Sequence, residues 1–315
     1  MKKHLLTLLM AGFATVAHAQ PTQAPAPTAT SNAAPAPTNA PIDADPAMWV
    51  VRDDDTTIYL FGTFHMLDGR RDWFNDEVRT AFDASQQLVL EVDLPEDPAQ
   101  LQAQLGPVIA RLAVDPQGRA ITSRLTPEQV TQLRAQLGPA VTIFDQAKFE
   151  PWMVSLGLTQ AAAARMGLDP SHGPEAILRR AANERRMSFA ALETAEQQFS
   201  IFDGQPDADQ MEGLVEQLAA PDKMRETMEP MLAAWTVGDV DRLTGILNEG
   251  VRDDPESYRL LFTDRNRNWA RWIQQRLQQP GTVFMAVGAG HLGGQGSVQD
   301  QLRALNISSA RVPSR

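Results

Sequence analysis

Two histidines of this 315-residue chain stand in the same short motif, Gly-x-x-His, and each motif follows an apolar stretch. Gly62 and His65 follow TIYLF, and Gly288 and His291 follow TVFMAV. A glycine at a strand end permits a tight or positive-φ turn and a close approach of the backbone to a ligand. An imidazole binds metals and carries protons near neutral pH. Either histidine alone would more often be structural, but the repetition predicts two equivalent strand ends that face one cleft.

Two glutamates interrupt apolar stretches in a similar way. Glu91 lies within LVLEVDL, and Glu193 ends FAALE. A carboxylate inside a buried strand is costly unless it is paired or bound to a metal. The alternative for Glu91 is an edge strand with the carboxylate in solvent, and Asp93 is a weaker candidate for the same face. Together with the histidines, these glutamates predict a divalent-metal site with nitrogen and oxygen ligands.

Arg265 and Asn266 lie in TDRNRNW, on a predicted helix rich in aromatic residues. An arginine beside the cleft could hold a substrate carboxylate or stabilise an oxyanion, whereas the alternative is a surface ion pair. For His172, in LDPSHGPE, we expect a surface or capping role. The sequence contains no HExxH, GxSxG, Walker or GxGxxG motif. With no cysteine in the chain, thiolate catalysis, thiolate metal sites and disulfides are excluded.

The apolar patterns predict the elements that must hold these residues. Four stretches have the composition of strands: TIYLFG, LVLEVDL, MSFAALE and TVFMAV. Helices are expected after Asp72, from Thr126 to Gly138, over 150–166, 174–186, 207–249, 257–278 and 297–305, with a last short strand near 310–312. This order of elements predicts an α/β or α+β core.

The N-terminal segments differ from the rest of the chain. Residues 1–19 carry two lysines, an apolar stretch and Ala-His-Ala, which is typical of a cleaved signal peptide. Residues 20–46 are rich in Ala, Pro and Thr and are expected to form a disordered linker, followed by a single domain over 47–315. We expect a periplasmic or secreted protein with no membrane span after cleavage. Its net charge of −11 before cleavage argues against nucleic acid as a partner.

Five motifs resemble, in order, those of the TraB/GumN family, which includes the Tiki-type proteases that clip secreted Wnt ligands: LFGTFH, LVLEVD, ALETAEQQ, RNRNW and AVGAGHLGG. The resemblance covers about residues 48–312. It implies an α/β (α+β) metal-dependent hydrolase fold with a central mixed sheet from two pseudo-related strand–GxxH–helix halves and a large helical insertion between them. The fold is similar in outline to erythromycin esterases and haem-binding ChaN-like proteins.

The resemblance also assigns positions within this chain. The paired family motifs match Gly62/His65 and Gly288/His291, and the remaining matches are Glu91, Glu193, Arg265 and Gln198. At Gly173-Pro174-Glu175 many relatives have Gly-x-Asp, so this longer acid departs from the family pattern.

The residues and the resemblance together predict a metal-dependent hydrolase. A peptidase is the favoured class, and the expected substrate is a peptide or a small molecule. One divalent ion (Mn, Co or Zn) would activate water, with His65 and His291 as ligands or proton carriers. Glu91 or Glu193 would be the general base, Glu91 also a ligand, and Arg265 would stabilise negative charge. The alternatives are an exported protein that binds haem, metal or peptide without turnover, and a hydrolase scaffold that has lost catalysis. Substrate, metal and oligomeric state stay open at this point.

Overall fold

A computed structural model describes residues 40–251 and 254–314. The predicted signal peptide, 1–19, and most of the predicted linker, 20–46, lie outside the described residues. The end of that linker segment is packed: strand Ile42–Asp43 pairs with Arg71–Asp72, and Ala44 is buried. Packed structure therefore begins before residue 47, because the apolar side chains near residue 42 find partners on the domain.

A six-stranded mixed sheet forms the centre of the molecule, as the sequence predicts. Its strands are β2 (Met48–Arg52), β3 (Thr56–Thr63), β5 (Gln87–Val92), β6 (Ser188–Glu193), β7 (Gly281–Gly288) and β8 (Ala310–Arg311), whereas β1 (Ile42–Asp43) and β4 (Arg71–Asp72) form a separate two-stranded sheet. The sheet order is β6-β5-β7-β3-β2-β8. The first four of these strands run parallel, and β2 is antiparallel to both of its neighbours.

The two strands that carry the Gly-x-x-His motifs are direct neighbours. β3 and β7 pair in parallel along their whole length, with Thr63 opposite Gly288 at their carboxyl ends. Since β5 flanks β7 on its other side, the strand ends that precede His65 and His291 and the end that carries Glu91 lie at one edge of the sheet. That edge is where open α/β sheets bind ligands.

Side chains alternate strictly between two cores. Ile58 and Leu60 of β3 join a cluster with Val283 and Met285 of β7, whereas Phe61 packs into a second cluster on the opposite face. This period of two is the geometry of a strand. Because both faces are covered, the parallel strands are apolar throughout, which explains the continuous hydrophobic runs in the sequence.

Helices surround this sheet. They are α1 (Asp76–Asp83), α2 (Pro98–Leu112), α3 (Pro127–Leu137), α4 (Ala140–Ala147), α5 (Pro151–Arg165), α6 (Pro174–Arg185), α7 (Ala195–Asp203), α8 (Asp207–Ala219), α9 (Lys223–Thr236), α10 (Val240–Val251), α11 (Pro255–Tyr258), α12 (Asp264–Arg276) and α13 (Val298–Ala304). A π-helical turn, Arg259–Thr263, joins α11 to α12. Over the described ranges, no helix combines the length and apolar character needed to cross a bilayer.

Some predicted helix boundaries are wrong. The continuous helix expected over 207–249 is three helices, because Pro221 and Gly238 interrupt it, and Gly238 has the left-handed φ of 64°. Asp72 lies in β4, so the next helix starts only at residue 76. The start at Thr126 is confirmed, with a complete capping box that includes Gln129.

Candidate active site

His65 is held by an acid from a distant helix. Its Nδ1 lies 2.7 Å from Oε1 of Glu175, which also accepts a hydrogen bond of 2.5 Å from the Thr63 hydroxyl. Glu175 lies in the first turn of α6. The turn before it needs Gly173, because a Cβ there would lie 2.1 Å from the His65 carbonyl oxygen. The backbone of this loop therefore fixes the contact between acid and imidazole.

The contact with Glu175 decides the charge of His65. Burial disfavours the imidazolium, but the charge and hydrogen bond of Glu175 outweigh it and raise the pKa of His65 to about 9. The same pair lowers the pKa of Glu175 despite its burial. Within the described part of the chain, the other ring nitrogen of His65, Nε2, has no hydrogen-bond partner. It is the nitrogen that faces the cleft.

Glu91 is a buried, ionised carboxylate. Its Oε1 accepts a hydrogen bond of 2.6 Å from the backbone N–H of Gly288, and its Oε2 accepts from Arg265 at 2.6 Å and from Gln198 at 3.0 Å. Burial raises the pKa of Glu91, but Arg265, above all, lowers it to about 2. β5 is an interior strand, so the alternative of a solvent-facing edge is wrong for Glu91.

Arg265 is the centre of the charged cluster. Its side chain is 7% exposed and forms ion pairs with Glu91 at 2.6 Å and with Glu193 at 2.9 Å. The guanidinium lies 4.9 Å from the ring centroid of Trp269. The residue follows the π-helical turn Arg259–Thr263, an irregularity that is frequent at functional sites. The alternative of a surface ion pair is therefore wrong.

Every N–H group of Arg265 has an acceptor. Nε donates to Glu193, Nη2 to Glu91 and Glu193, and Nη1 to the Leu261 carbonyl and to Nε2 of His291. An arginine has five such donors. None is left for a substrate oxyanion, so this side chain acts through its positive charge and by holding its neighbours in place.

Glu193 is the principal anchor of that guanidinium. Its Oε1 accepts from Arg265 and from the indole N–H of Trp269, at 3.0 Å, and its Oε2 accepts from Gln198 at 2.9 Å. Both oxygens are thus fully engaged within the protein. This arrangement suits a positioning role better than that of a general base.

His291 has the opposite electrostatic environment from His65. Its Nδ1 lies 2.6 Å from Oδ1 of Asn266, whose amide nitrogen donates to the Gly296 carbonyl. The Asn266 oxygen accepts from Nδ1, and Arg265 donates to Nε2 at 3.1 Å, so the imidazole is neutral with its proton on Nδ1. Burial and the charge of Arg265 lower the pKa of His291 to about 3.

Three of the predicted site residues surround one backbone position. A Cβ on Gly288 would lie 3.2 Å from Oε1 of Glu91, 3.6 Å from Nε2 of His65 and 3.6 Å from Cδ2 of His291. Any side chain there would fill the space between them. Position 288 needs glycine because three side chains approach it closely, and not because of its backbone conformation, since its φ is −51°.

The other predicted glycine is needed for packing between the two turns. A Cβ on Gly62 would lie 3.1 Å from the Cβ of Ala289, in the second Gly-x-x-His turn. The Gly62 carbonyl accepts a hydrogen bond of 2.8 Å from the buried indole of Trp235. The two motifs therefore touch directly.

The donor set fits a divalent ion only in part. Among residues 40–251 and 254–314, no group of three or more His, Cys, Asp or Glu side chains is arranged to hold a metal. His65 Nε2 and Glu91 Oε1 are suitable donors, and the acid behind His65 is the usual support of a metal-bound imidazole. His291 would join them only if its contact with Arg265 were broken. A site of this kind would keep open positions for water and substrate.

Two weaker candidates lie outside the cluster, and one important residue was missed. Asp93 is half exposed and pairs with Arg179 at 2.6 Å, and His172 packs against Gly69 on the surface. Glu175 was considered only as a departure from the family pattern. Its position directly after Gly-Pro at a helix start is the sequence feature that could have revealed it.

No curated protein and no solved structure matches the chain. The sequence profile of the TraB/PrgY/gumN family matches residues 47–311, which contain the whole sheet edge described above. The chain therefore belongs to the TraB/PrgY/gumN family.

Proposed function

We propose that the protein is a metal-dependent hydrolase that cleaves peptide bonds. The observation that carries the proposal is the convergence of His65 Nε2 and Glu91 Oε1 beside Gly288, with Glu175 behind the imidazole. A nitrogen and an oxygen donor that face one open cleft suit a hard or borderline divalent ion such as Mn, Co or Zn.

The residues have separable tasks in this proposal. His65 and Glu91 would hold the ion, which when bound supplies a water of lowered pKa and polarises a carbonyl. Because the pKa of His65 is about 9, an ion would have to displace the proton from Nε2, while Glu175 holds the other proton on Nδ1. Arg265 keeps Glu91 ionised and adds positive charge near the place where the tetrahedral oxygen becomes negative.

The remaining partners make the arrangement rigid. Glu193, Gln198 and Trp269 hold Arg265 and Glu91 in place through hydrogen bonds that are already formed without substrate. Preorganised charge of this kind costs no reorganisation during a reaction. Gly288 leaves room between the donors that no side chain fills.

The test compares His65, in the candidate active site, with His172, which is exposed on the surface. The purified full chain is analysed for bound metal and assayed on an unstructured peptide mixture, before and after chelation and with Mn, Co or Zn returned. We expect cleavage to stop on chelation, to return with one of these ions, and to be lost in His65→Ala but not in His172→Ala.

Cleavage that survives chelation, or equal cleavage by His65→Ala, would refute the proposal. Bound metal or a haem absorbance band that needs His65, with no cleavage of any peptide, would favour a binding protein instead. We also propose export, because residues 1–19 have the features of a signal peptide. Cell fractionation and N-terminal sequencing test it, with a start at Gln20 as the expected result.

A further inference from the structure

An apolar pocket with a free volume of about 40 Å³ opens beside His65. Its polar end is formed by the two turns, through Thr63, His65 and Gly288–Gly290. Its far wall comes from the helical insertion, with Met228 and Met231 on α9 and Leu243 and Leu247 on α10. This volume exceeds the ~10–15 Å³ that a single water molecule needs.

The chemistry of this wall is uniformly aliphatic. Met228, Met231, Leu243 and Leu247 are all buried, and among the described lining residues His65 is the sole ionisable one. A cationic side chain in such a pocket would lose its hydration and would meet only the positive charge of His65. Methionines adapt their shape to different apolar groups, so the pocket suits several aliphatic side chains.

The pocket and the candidate active site share one boundary. His65 and Gly288 line the pocket, and the same two residues lie next to Glu91 Oε1. A side chain inserted between α9 and α10 would therefore leave its own backbone beside His65 Nε2. This is the placement that a residue flanking a scissile bond requires.

We propose that this pocket, bounded by Met228, Met231, Leu243 and Leu247, is a specificity subsite for an aliphatic side chain, of Leu or Met size, adjacent to the cleaved peptide bond. The inference rests on the proposed function and adds the class of substrate to it. It assigns α9 and α10 of the helical insertion to substrate selection.

The first test is a set of peptides that differ at one residue. We expect kcat/KM for a peptide with Leu at this residue to exceed that for Ala by roughly 10-fold or more, because each buried methylene contributes about 10- to 200-fold discrimination. A peptide with Lys there should be cleaved more slowly than the Ala peptide. Equal cleavage of all three would overturn the inference.

Matched variants of α9 separate selection from folding. Met231→Ala enlarges the pocket, whereas Met224→Ala removes the same atoms from a buried position on the same helix that does not line it. We expect Met231→Ala to shift preference from Leu to Phe and Met224→Ala to keep the original preference. A similar shift in both variants would show that the pocket does not select.

A binding measurement keeps the inference independent of catalysis. In full-length protein with isotope-labelled methionine methyl groups, the tripeptide Ala-Leu-Ala should shift the Met228 and Met231 resonances, and Ala-Lys-Ala should not. Single Met→Ala variants assign the resonances. Such shifts without any cleavage would refute the hydrolase and retain the subsite, whereas cleavage without them would refute the subsite and retain the hydrolase.

Discussion

Replacing Arg265 with methionine tests whether a buried charge cluster holds the site together. The side chain of Arg265 is 7% exposed and those of its partners Glu91 and Glu193 are 12% and 11% exposed. Removing one partner of a buried ion pair leaves uncompensated charge and costs about 3–5 kcal/mol. We therefore expect Arg265→Met to lower the free energy of unfolding by about that amount, measured by urea denaturation near neutral pH.

The same helix supplies a matched control. Arg267 pairs with Asp264 at 2.8 Å, but its side chain is 47% exposed. Exposed pairs contribute about 0–1 kcal/mol, so Arg267→Met should change the unfolding free energy little. Equal losses of unfolding free energy in the two variants would refute the electrostatic argument, since each substitution removes one guanidinium from α12 and only that of Arg265 is buried.

A rescue experiment distinguishes charge from packing. In Arg265→Met, the further changes Glu91→Gln and Glu193→Gln remove the two carboxylates that the guanidinium neutralised. We expect the combined variant to regain roughly half or more of the lost stability, since neutral amides carry no charge to desolvate. If it is as unstable as Arg265→Met, the loss comes from the arginine's contact with Trp269 and from its volume, and the cluster is not held by charge.

Three further changes probe the neighbourhood. Glu175→Gln should reduce activity by about 10- to 100-fold and lower the pKa of His65, which NMR titration of the imidazole measures; an unchanged pKa would contradict the contact's role. In metal-free protein, the free energy of unfolding should fall as pH drops from 6.5 towards 3, by up to about 1.4 kcal/mol per pH unit, because His291 binds a proton in the unfolded chain but stays neutral in the native protein. In His291→Phe, denaturation curves at several pH values should show a smaller slope. Trp235→Phe should cost about 1–3 kcal/mol by leaving the buried Gly62 carbonyl without its donor, and a loss near zero in urea denaturation would refute this.

Local patterns were sufficient to predict five of the six strands of the central sheet, whereas β2, Met48–Arg52, was missed. The segments 57–62 and 282–287 became β3, Thr56–Thr63, and β7, Gly281–Gly288, because an apolar run of this length that ends in glycine has few other solutions. The matching ends were expected to face one cleft, and the parallel pairing of β3 and β7 brings them together. The predicted relation between two halves of the molecule is not tested by this pairing and stays a prediction.

Hydrogen-bond partners were much harder to predict than strands. Glu175 lies 110 residues from His65, and Arg265 lies 174 residues from Glu91. Nothing in the local sequence of either residue specifies such a contact, because it depends on how helices of the insertion dock on the sheet. The full engagement of Arg265 could not be predicted for the same reason, because a count of its donors requires the positions of all its acceptors.

The two Gly-x-x-His motifs show why equal sequence does not mean equal chemistry. His65 faces a carboxylate, and its pKa rises to about 9, whereas His291 faces an amide and a guanidinium, and its pKa falls to about 3. Groups whose environments push their pKa values apart are suited to different tasks. His65 therefore has the nitrogen that can donate a proton to substrate, or bind a metal once that proton is displaced, and His291 serves as a neutral support for Arg265. The electrostatic asymmetry between the two histidines comes from Glu175 on one side and from burial and Arg265 on the other, and both of these residues lie outside the repeated motif.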